Sequence, residues 1–249
     1  MHEQETGVTT PDGEMKVFLV HPSESGPFPV ALLFMDGIGY REQIRANARR
    51  FADAGYYVAA PDLFYRSGDG TMLDMTKLMS AGMDSAEGKR FREIVSSVTP
   101  GKVERDTQAI LDSIRDDPAA DTSSLVCVGY CMGARLALHI AATRDDMRAA
   151  AGIHPGALVT DQPDSPHNDL AAVSGEVYFA FAEQDRSATP ESVDAFRTAM
   201  ADAGVRGTVE RLPGTAHGFA MADLPVYDHD ACEHHFEHTL DLWHRARAA

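Results

Sequence analysis

The sequence predicts an α/β protein with a mostly parallel central sheet and helices on both of its faces. Strand-like apolar segments alternate along the chain with helical patterns of ten or more residues. That alternation is typical of βαβ crossovers, in which helices cover both faces of a parallel sheet. Several strand segments are nearly continuous apolar runs, as expected for strands buried on both sides. The 249 residues suffice for a full hydrophobic core, and we expect residues 1–249 to form one domain.

The first half of the chain is predicted to contain three strands and two helices. The segment "PVALLFMDG" (29–37) is the clearest buried strand. In the helix that follows it, Ile44, Ala48 and Phe51 recur at helical spacing, and Gly55 is a stop signal. The predicted strands are 15–22, 29–37 and 56–64, the last of them ended by Pro61, and the predicted helices are 41–55 and 103–117.

The second half continues the alternation. The apolar segment "SLVCVGY" leads directly into the helical pattern "MGARLALHIAATR", and Pro190 lies near the first turn of a later helix. The predicted strands are 124–130, 148–155, 176–185 and 206–213, and the predicted helices are 132–144, 190–204 and 228–246.

Residues 66–100 form the least periodic region. The spacing of Met72, Met75 and Met79 predicts a short helix there, and Met83 is a fourth methionine. Because the region follows the end of a strand, we expect it to lie over a pocket. It is either a lid or an ordinary surface excursion packed by adaptable methionine side chains.

Charge, N-terminal pattern and cysteine content argue against a nucleic-acid partner, a membrane location and disulfide bonds. A formal net charge of −16 disfavours nucleic acid, which is bound through clustered Lys and Arg. The N-terminal segment lacks the pattern of a signal peptide, and no run approaches the ~18 apolar residues of a membrane span, so we expect a cytoplasmic protein. Three cysteines give no disulfide framework. The sequence gives no indication of the oligomeric state.

A cysteine lies where a strand should turn into a helix. Gly129 and Gly133 flank Cys131 in the pattern G-x-C-x-G, and a nucleophile held on such a turn needs glycines two residues away on either side. The helix that follows would direct free N–H groups and the positive end of its dipole at the sulfur. The alternative is a cysteine that only fills space, which is our interpretation of Cys127.

A thiol nucleophile requires a base and a carboxylate that orients the base. Asp185 ends one later predicted strand, and His217 follows the next one, in the order expected for this kind of site. Glu183 is a rival to Asp185. His154, at another strand end, is a second candidate for the base or else a wall of the pocket.

The site also needs two donors for an oxyanion. The backbone N–H of Met132, directly after the cysteine, is one candidate, and that of Gly37 in the loop "MDGIGY" is the other. Asp36 in the same loop would repel a thiolate unless it held the thiol proton or turned away.

Five histidines lie in or just before the last helix. His234 and His238 have the i, i+4 spacing of metal ligands, but the sequence reveals no third ligand, so we predict neither a metal site nor a cofactor.

Four segments together resemble the dienelactone hydrolase family, whose members have the α/β-hydrolase fold and a cysteine in place of the usual serine. They are "GYCMGAR", "AAPDLFYRSG", "AFAEQD" and "GTAHGFA". The resemblance implies Cys131 as nucleophile, His217 as base and acid, and Asp185 as orienting carboxylate. It further implies that Asp36, where the family has Glu, holds the resting thiol.

Two positions bear on the substrate. The family's best-known members bind a substrate carboxylate with two arginines; Arg66 matches the first, but Met221 occupies the place of the second. A thioether cannot pair with a carboxylate, which argues against dienelactone itself. Arg66 is then either the pocket's single cation or part of a surface salt bridge with an acid such as Asp69.

The sequence therefore predicts a cofactor-free hydrolase of small esters or lactones. One alternative is a general carboxylesterase or thioesterase for neutral esters, with Met221, Phe219 and lid methionines lining an apolar pocket. The other is a catalytically silent relative that only binds a ligand.

Overall fold

The computed structural model describes residues 1–23, 25–68 and 70–248, apart from the side chains of Met75, Thr76, Met79 and Ala248. It contains an eight-stranded sheet. The strands are β1 (His2–Thr10), β2 (Gly13–His21), β3 (Phe28–Phe34), β4 (Tyr57–Pro61), β5 (Ala120–Tyr130), β6 (Met147–Ile153), β7 (Glu176–Gln184) and β8 (Gly207–Ala216). The helices are α1 (Glu42–Asp53), α2 (Met75–Ala81), α3 (Ala86–Ser97), α4 (Pro100–Ile114), α5 (Met132–Thr143), α6 (Pro190–Asp202) and α7 (His229–Ala248).

The strand order is β1-β2-β4-β3-β5-β6-β7-β8. The pairs β1–β2 and β2–β4 are antiparallel, and every pair from β4 to β8 is parallel. The prediction of a mostly parallel α/β sheet is thereby confirmed. Since the parallel strands end at the same edge, the loops after β3, β5, β7 and β8 are neighbours.

Helices cover both faces of the sheet, as two residues of β5 demonstrate. The Cys127 sulfur lies 3.6 Å from the carbonyl oxygen of Ala137 in α5, whereas the Tyr130 ring packs 5.7 Å from the ring of His235 in α7. Residues an odd number apart on a strand point to opposite faces, so α5 and α7 lie on opposite sides. Cys127 is fully buried, which agrees with a packing role.

The sequence did not predict one strand, β1, and one helix, α3. Strand β1 is largely exposed and polar, so it lacks the apolar pattern of a strand, yet it pairs with β2 along its whole length. Helix α3 lies in the region 66–100 and has only Gly88 and Ile94 fully buried, which makes its apolar periodicity weak. The predicted short helix in that region corresponds to α2.

None of the helices in the described part of the chain combines the length and the apolar character that crossing a bilayer requires.

Candidate active site

The turn between β5 and α5 holds Cys131 in a strained conformation. Its φ is +52° and its ψ −109°. Residues other than glycine rarely adopt a positive φ. The flanking glycines make this turn possible. A Cβ on Gly129 would lie 1.9 Å from the carbonyl oxygen of Gly133, and a Cβ on Gly133 would lie 2.3 Å from that of Phe34.

Three side chains from separate loops meet at this turn. The Nε2 atom of His217 is 2.9 Å from the sulfur of Cys131, and its Nδ1 atom is 2.5 Å from Oδ2 of Asp185. Oδ1 of Asp185 accepts hydrogen bonds from the backbone N–H and the hydroxyl of Ser187, at 2.8 and 2.6 Å. The carboxylate is therefore fixed from one side by Ser187 and orients the imidazole from the other.

The electrostatics of the three groups are coupled. Burial alone would lower the pKa of His217, but the adjacent Cys131 sulfur and the Asp185 carboxylate raise it well above its ordinary value. Burial alone would raise the pKa of Asp185, but the hydrogen bond and charge of His217, together with the hydrogen bonds from Ser187, outweigh burial and lower that pKa. The raised pKa of His217 favours uptake of a proton by the imidazole, which is what a base for the Cys131 thiol requires.

Glu183, the rival carboxylate, points elsewhere. Its Oε2 atom accepts a hydrogen bond from the backbone N–H of Gly214 at 2.9 Å, and its carbonyl oxygen accepts one from Arg211. Among the acids that the structure describes, Asp185 is the one hydrogen-bonded to His217.

His154 lies against the site but does not contact the sulfur through a hydrogen bond. Its ring is buried at 1% exposure, packs edge-on against the ring of His217 at 5.2 Å, and has no hydrogen-bond partner among the described residues at either nitrogen. Burial, reinforced by the charge of His217, lowers its pKa well below the ordinary value. A neutral imidazole here is a pocket wall rather than the base.

The two residues predicted to supply oxyanion donors both lie close to Cys131 in the fold, Met132 directly after it and Gly37 in the wall of its cavity. Met132 is the first residue of α5, so its N–H belongs to the turn of N–H groups that have no acceptor within the helix. Gly37 lines the same cavity as Cys131. A Cβ at Gly37 would lie 3.3 Å from the ring of Phe91, so the glycine allows close packing of α3 over the loop.

Asp36 is bound by an arginine. Arg41 donates from its two terminal nitrogens to Oδ1 and Oδ2 of Asp36, at 2.7 and 2.9 Å, and Oδ1 also accepts the backbone N–H of Ile38. The other edge of the Arg41 guanidinium contacts Asp223. Asp36 lines the cavity, but these hydrogen bonds direct its carboxylate to Arg41 and not to the thiol of Cys131.

The cavity above Cys131 has a volume of about 260 Å³. Its walls are mostly apolar, and none of the described residues lining it is Lys or Arg. They are Asp36, Gly37, Ile38, Phe91, Cys131, His154, His217, Gly218, Leu224, Pro225 and Val226. Phe91 belongs to α3, so the region 66–100 does contribute a wall over the site, as its position in the sequence predicted.

The structure does not bring Arg66 to this cavity. The guanidinium forms a two-pronged ion pair with the buried Asp106, at 2.7 and 2.8 Å, and a further one with Asp12 at 2.8 Å. Its side chain is bound by acids of α4 and of the β1–β2 turn, so the prediction of a pocket cation at Arg66 does not hold. Asp69, the suggested salt-bridge partner, lies outside the described residues.

Met221 is also absent from the cavity wall. It is fully buried in the core, and its sulfur lies 3.9 Å from the side-chain nitrogen of Asn47. Phe219 is fully buried as well and contacts His154 at 5.3 Å between ring centroids. The expectation that Met221 and Phe219 line an acyl pocket is therefore wrong for the described surface, although the pocket is apolar.

Sequence reasoning missed most of the cavity wall. Leu224, Pro225 and Val226 lie in the loop after His217, and proximity to that histidine in the chain was a usable signal. Phe91 could have been found from its spacing with Ile94 and Val95.

The sequence reveals no third metal ligand for His234 and His238, but the structure places one beside them. Glu210 of β8 lies beside both histidines, and the potential ligand atoms of the three residues are all within 4.8 Å of one another. The sequence concealed it because Glu210 is 24 residues before His234 on another element.

Comparisons with known proteins identify the family of this chain. The model of the family described as "Dienelactone hydrolase family" matches residues 15–246. A protein of Methylorubrum extorquens, provisionally named a carboxymethylenebutenolidase, is 27% identical over 228 residues, which cover 90% of this chain and 74% of that protein.

Two crystal structures share the fold. One, from Klebsiella pneumoniae and provisionally named a dienelactone hydrolase, has a TM-score of 0.86 at 22% identity and covers 98% of both chains. The other, a dienelactone hydrolase-like promiscuous phosphotriesterase from metagenomic libraries, has a TM-score of 0.74 at 22% identity and covers 99% of both chains.

Proposed function

This chain belongs to the dienelactone hydrolase family, and from that premise we propose that it cleaves a carboxylic ester or lactone through Cys131, His217 and Asp185. The single observation that carries the proposal is the unbroken chain of contacts from sulfur to imidazole to carboxylate, at 2.9 and 2.5 Å. Membership in the family and the names of its relatives support the class of reaction.

In the first half of the reaction, Nε2 of His217 accepts the proton of the Cys131 thiol. The thiolate adds to the carbonyl carbon of the substrate, and the N–H groups of Met132 and Gly37 stabilise the oxyanion that forms. The bond to the leaving oxygen then breaks. His217 returns its proton to that oxygen, which leaves an acyl-thioenzyme and an alcohol.

In the second half, His217 accepts a proton from a water molecule that attacks the thioester. The carbon–sulfur bond breaks, the acid leaves, and the sulfur regains its proton. Asp185 keeps Nδ1 of His217 protonated in both halves, so that Nε2 is the atom that accepts and returns protons.

The cavity favours a neutral substrate. Its described walls are apolar or glycine except for Asp36, Cys131, His154 and His217. A carboxylate on the substrate would therefore meet no Lys or Arg side chain there. Arg41, the nearest arginine in the sequence to the cavity loop, is already paired with Asp36 and Asp223. We therefore propose a small neutral ester or lactone as the substrate, in preference to a carboxylate-bearing dienelactone.

The test is to trap the acyl-enzyme. Wild-type protein is mixed with p-nitrophenyl butyrate, quenched in acid within milliseconds to seconds, and its intact mass is measured. We expect a gain equal to one butyryl group, located on the peptide that contains Cys131, together with release of p-nitrophenol.

Matched cysteine variants make this experiment decisive. Cys131→Ala should lose both the adduct and the turnover, whereas Cys232→Ala, which changes a buried cysteine of α7, should retain both. Asp185→Asn should lower kcat, since it removes the carboxylate that orients His217. Full turnover by Cys131→Ala would refute the proposed nucleophile, and no turnover of any ester by the wild type would favour a silent relative.

A further inference from the structure

We propose that Glu210, His234 and His238 bind a divalent transition-metal ion of the zinc class, at a site separate from the cavity of Cys131. The three residues come from two elements, the edge strand β8 and helix α7. Glu210 pairs with Ala180 of β7 and Ala216, the residue before His217, pairs with Gln184, so the two positions are four strand residues apart, about 13 Å at about 3.3 Å per residue. The site is thus too distant for a bound ion to touch the ester-cleaving groups.

The first argument is the arrangement of the donor atoms. His234 and His238 are one helical turn apart and therefore lie on the same side of α7. Nε2 of His234 is 2.8 Å from Oε1 of Glu210, and one ligand atom from each of the three residues falls within a 4.8 Å span. Ligands about 2.0–2.2 Å from a common zinc ion lie within about 4 Å of one another, so side-chain rotations suffice to close the site.

The second argument is that neighbouring groups already orient two of the ligands. Nδ1 of His238 hydrogen-bonds the backbone carbonyl oxygen of His234 at 2.9 Å, which puts the proton on Nδ1 and leaves the Nε2 lone pair available. The Tyr178 hydroxyl donates to Oε1 of Glu210, and the Tyr178 ring stacks on the ring of His238 at 5.6 Å. Such supporting contacts are typical of the surroundings of metal ligands.

The chemistry of the ligands selects the class of ion. Two imidazoles and one carboxylate suit Zn²⁺ and its neighbours Co²⁺ and Ni²⁺ better than Ca²⁺ or Mg²⁺, which prefer oxygen ligands. The side chains of His234 and Glu210 are 37% and 25% exposed, so water can reach the ion and complete its coordination. The net charge of −16 favours any cation at the surface of this protein.

Binding would fasten α7 to the edge of the sheet. In the metal-free protein, β8 and α7 are joined at this point by the hydrogen bond between His234 and Glu210. The ion would replace the shared proton of that bond and add His238 as a second attachment.

The test uses untagged protein that carries Cys131→Ala, because the thiol and imidazole of the catalytic site could bind the same metals. Zn²⁺ binding is measured by calorimetry, and Co²⁺ binding by visible absorption. We expect one equivalent of each ion, a Co²⁺ spectrum without the near-ultraviolet bands of thiolate ligation, and a higher melting temperature with Zn²⁺ than with EDTA.

Variants of the ligands locate the ion. His238→Gln and Glu210→Gln should each weaken Zn²⁺ binding at least tenfold and abolish the zinc-dependent rise in melting temperature. The control is His229→Gln, which changes a 72% exposed histidine at the start of the same helix and should bind as well as the parent. Melting temperatures in EDTA show whether each variant is folded, and Glu210→Gln retains an acceptor for Tyr178.

The proposal is overturned if Zn²⁺ does not bind, if ligand variants bind it as tightly as the parent, or if His229→Gln weakens binding equally. None of these measurements uses ester cleavage. The metal site and the proposed hydrolase activity can therefore fail independently.

Discussion

Arg41 holds both carboxylate oxygens of Asp36, at 2.7 and 2.9 Å, in a setting where the two side chains are only 6% and 5% exposed. The same guanidinium reaches Asp223, two residues before the Pro225 wall of the cavity. This contact explains how Asp36 can line a cavity next to a thiol, because the guanidinium of Arg41 neutralises the charge of its carboxylate. It also ties the loop after β8 to the loop after β3.

Removing this arginine should destabilise the fold. Arg41→Met leaves Asp36 buried without its partner, and breaking a buried ion pair on one side typically costs about 3–5 kcal/mol. The loss should appear as a lower free energy of unfolding in urea. The matched control is Arg45→Gln in α1. Its ion-pair partners Glu42 and Glu5 are 65% and 44% exposed, so the change should cost no more than about 1 kcal/mol. Equal losses in the two variants would contradict the buried role.

Gly129, two residues before the nucleophile, should not tolerate a larger side chain. In Gly129→Ala the new methyl would meet the backbone of Gly133 and Ala134, which cannot move without shifting the start of α5. We expect loss of ester turnover and a lower melting temperature. Gly101→Ala, in α4 with open space around its Cβ, is the control; it should be neutral or stabilise the protein by about 0.5–1 kcal/mol. Normal turnover by Gly129→Ala would show that the turn relaxes more than the distances allow.

The parts of the fold that the sequence predicted are those governed by burial. β3 and β4 are almost entirely buried, and only Cys131 separates β5 from α5, so apolar pattern and turn chemistry determine these elements. The triad positions could be proposed for the same reason, because each follows a strand end. β1 could not be predicted, since an exposed edge strand is specified by its pairing with β2 and not by its own composition.

Side-chain partners in the site were beyond the reach of sequence patterns. Whether an arginine is free to bind a substrate or forms a structural ion pair depends on which acid lies nearest to it in the folded protein. Arg66 is paired with Asp106, 40 residues away, and Arg41 with Asp223, 182 residues away. The same holds for Glu210 beside His234. A position that matches a family's binding residue predicts a location in the chain, but the contacts decide its role.

Stability should fall with acid because buried histidines must remain neutral. Burial lowers the pKa of His235 to about 3, with Arg50 and His234 adding to the effect, and the ring packs on Phe236 and Tyr130. In the unfolded chain its pKa is about 6.5, so below that pH the unfolded state binds a proton that the folded state does not. Each pH unit between about 6.5 and 3 therefore removes roughly 1.4 kcal/mol of stability per such group.

A comparison with His235→Leu isolates this contribution. Free energies of unfolding are measured in urea at pH 7.5 and pH 5.0 for both proteins. The wild type should lose about 2 kcal/mol more than the variant over that interval, since roughly 1.5 pH units lie below the unfolded pKa. His244→Leu, a change at an exposed histidine of α7, should leave the wild-type pH dependence intact. If His235→Leu lost as much stability between pH 7.5 and pH 5.0 as the wild type, groups other than His235 would be responsible for the acid sensitivity.

The apolar cavity should acquire a preference for anions when a cation is placed in its wall. Val226 lines the cavity and is 38% exposed, so an arginine there can reach a bound substrate without burying its charge. We expect wild-type protein to hydrolyse p-nitrophenyl butyrate with a higher kcat/KM than the similarly sized p-nitrophenyl hemisuccinate. Val226→Arg should shift that ratio toward the anionic ester by up to about fivefold, the effect of a partly exposed ion pair of about 1 kcal/mol. Val226→Met, similar in length but uncharged, controls for bulk and should leave the ratio unchanged. A wild-type preference for the hemisuccinate would contradict the proposed neutral substrate, which rests on the lack of Lys and Arg among the described residues that line the cavity.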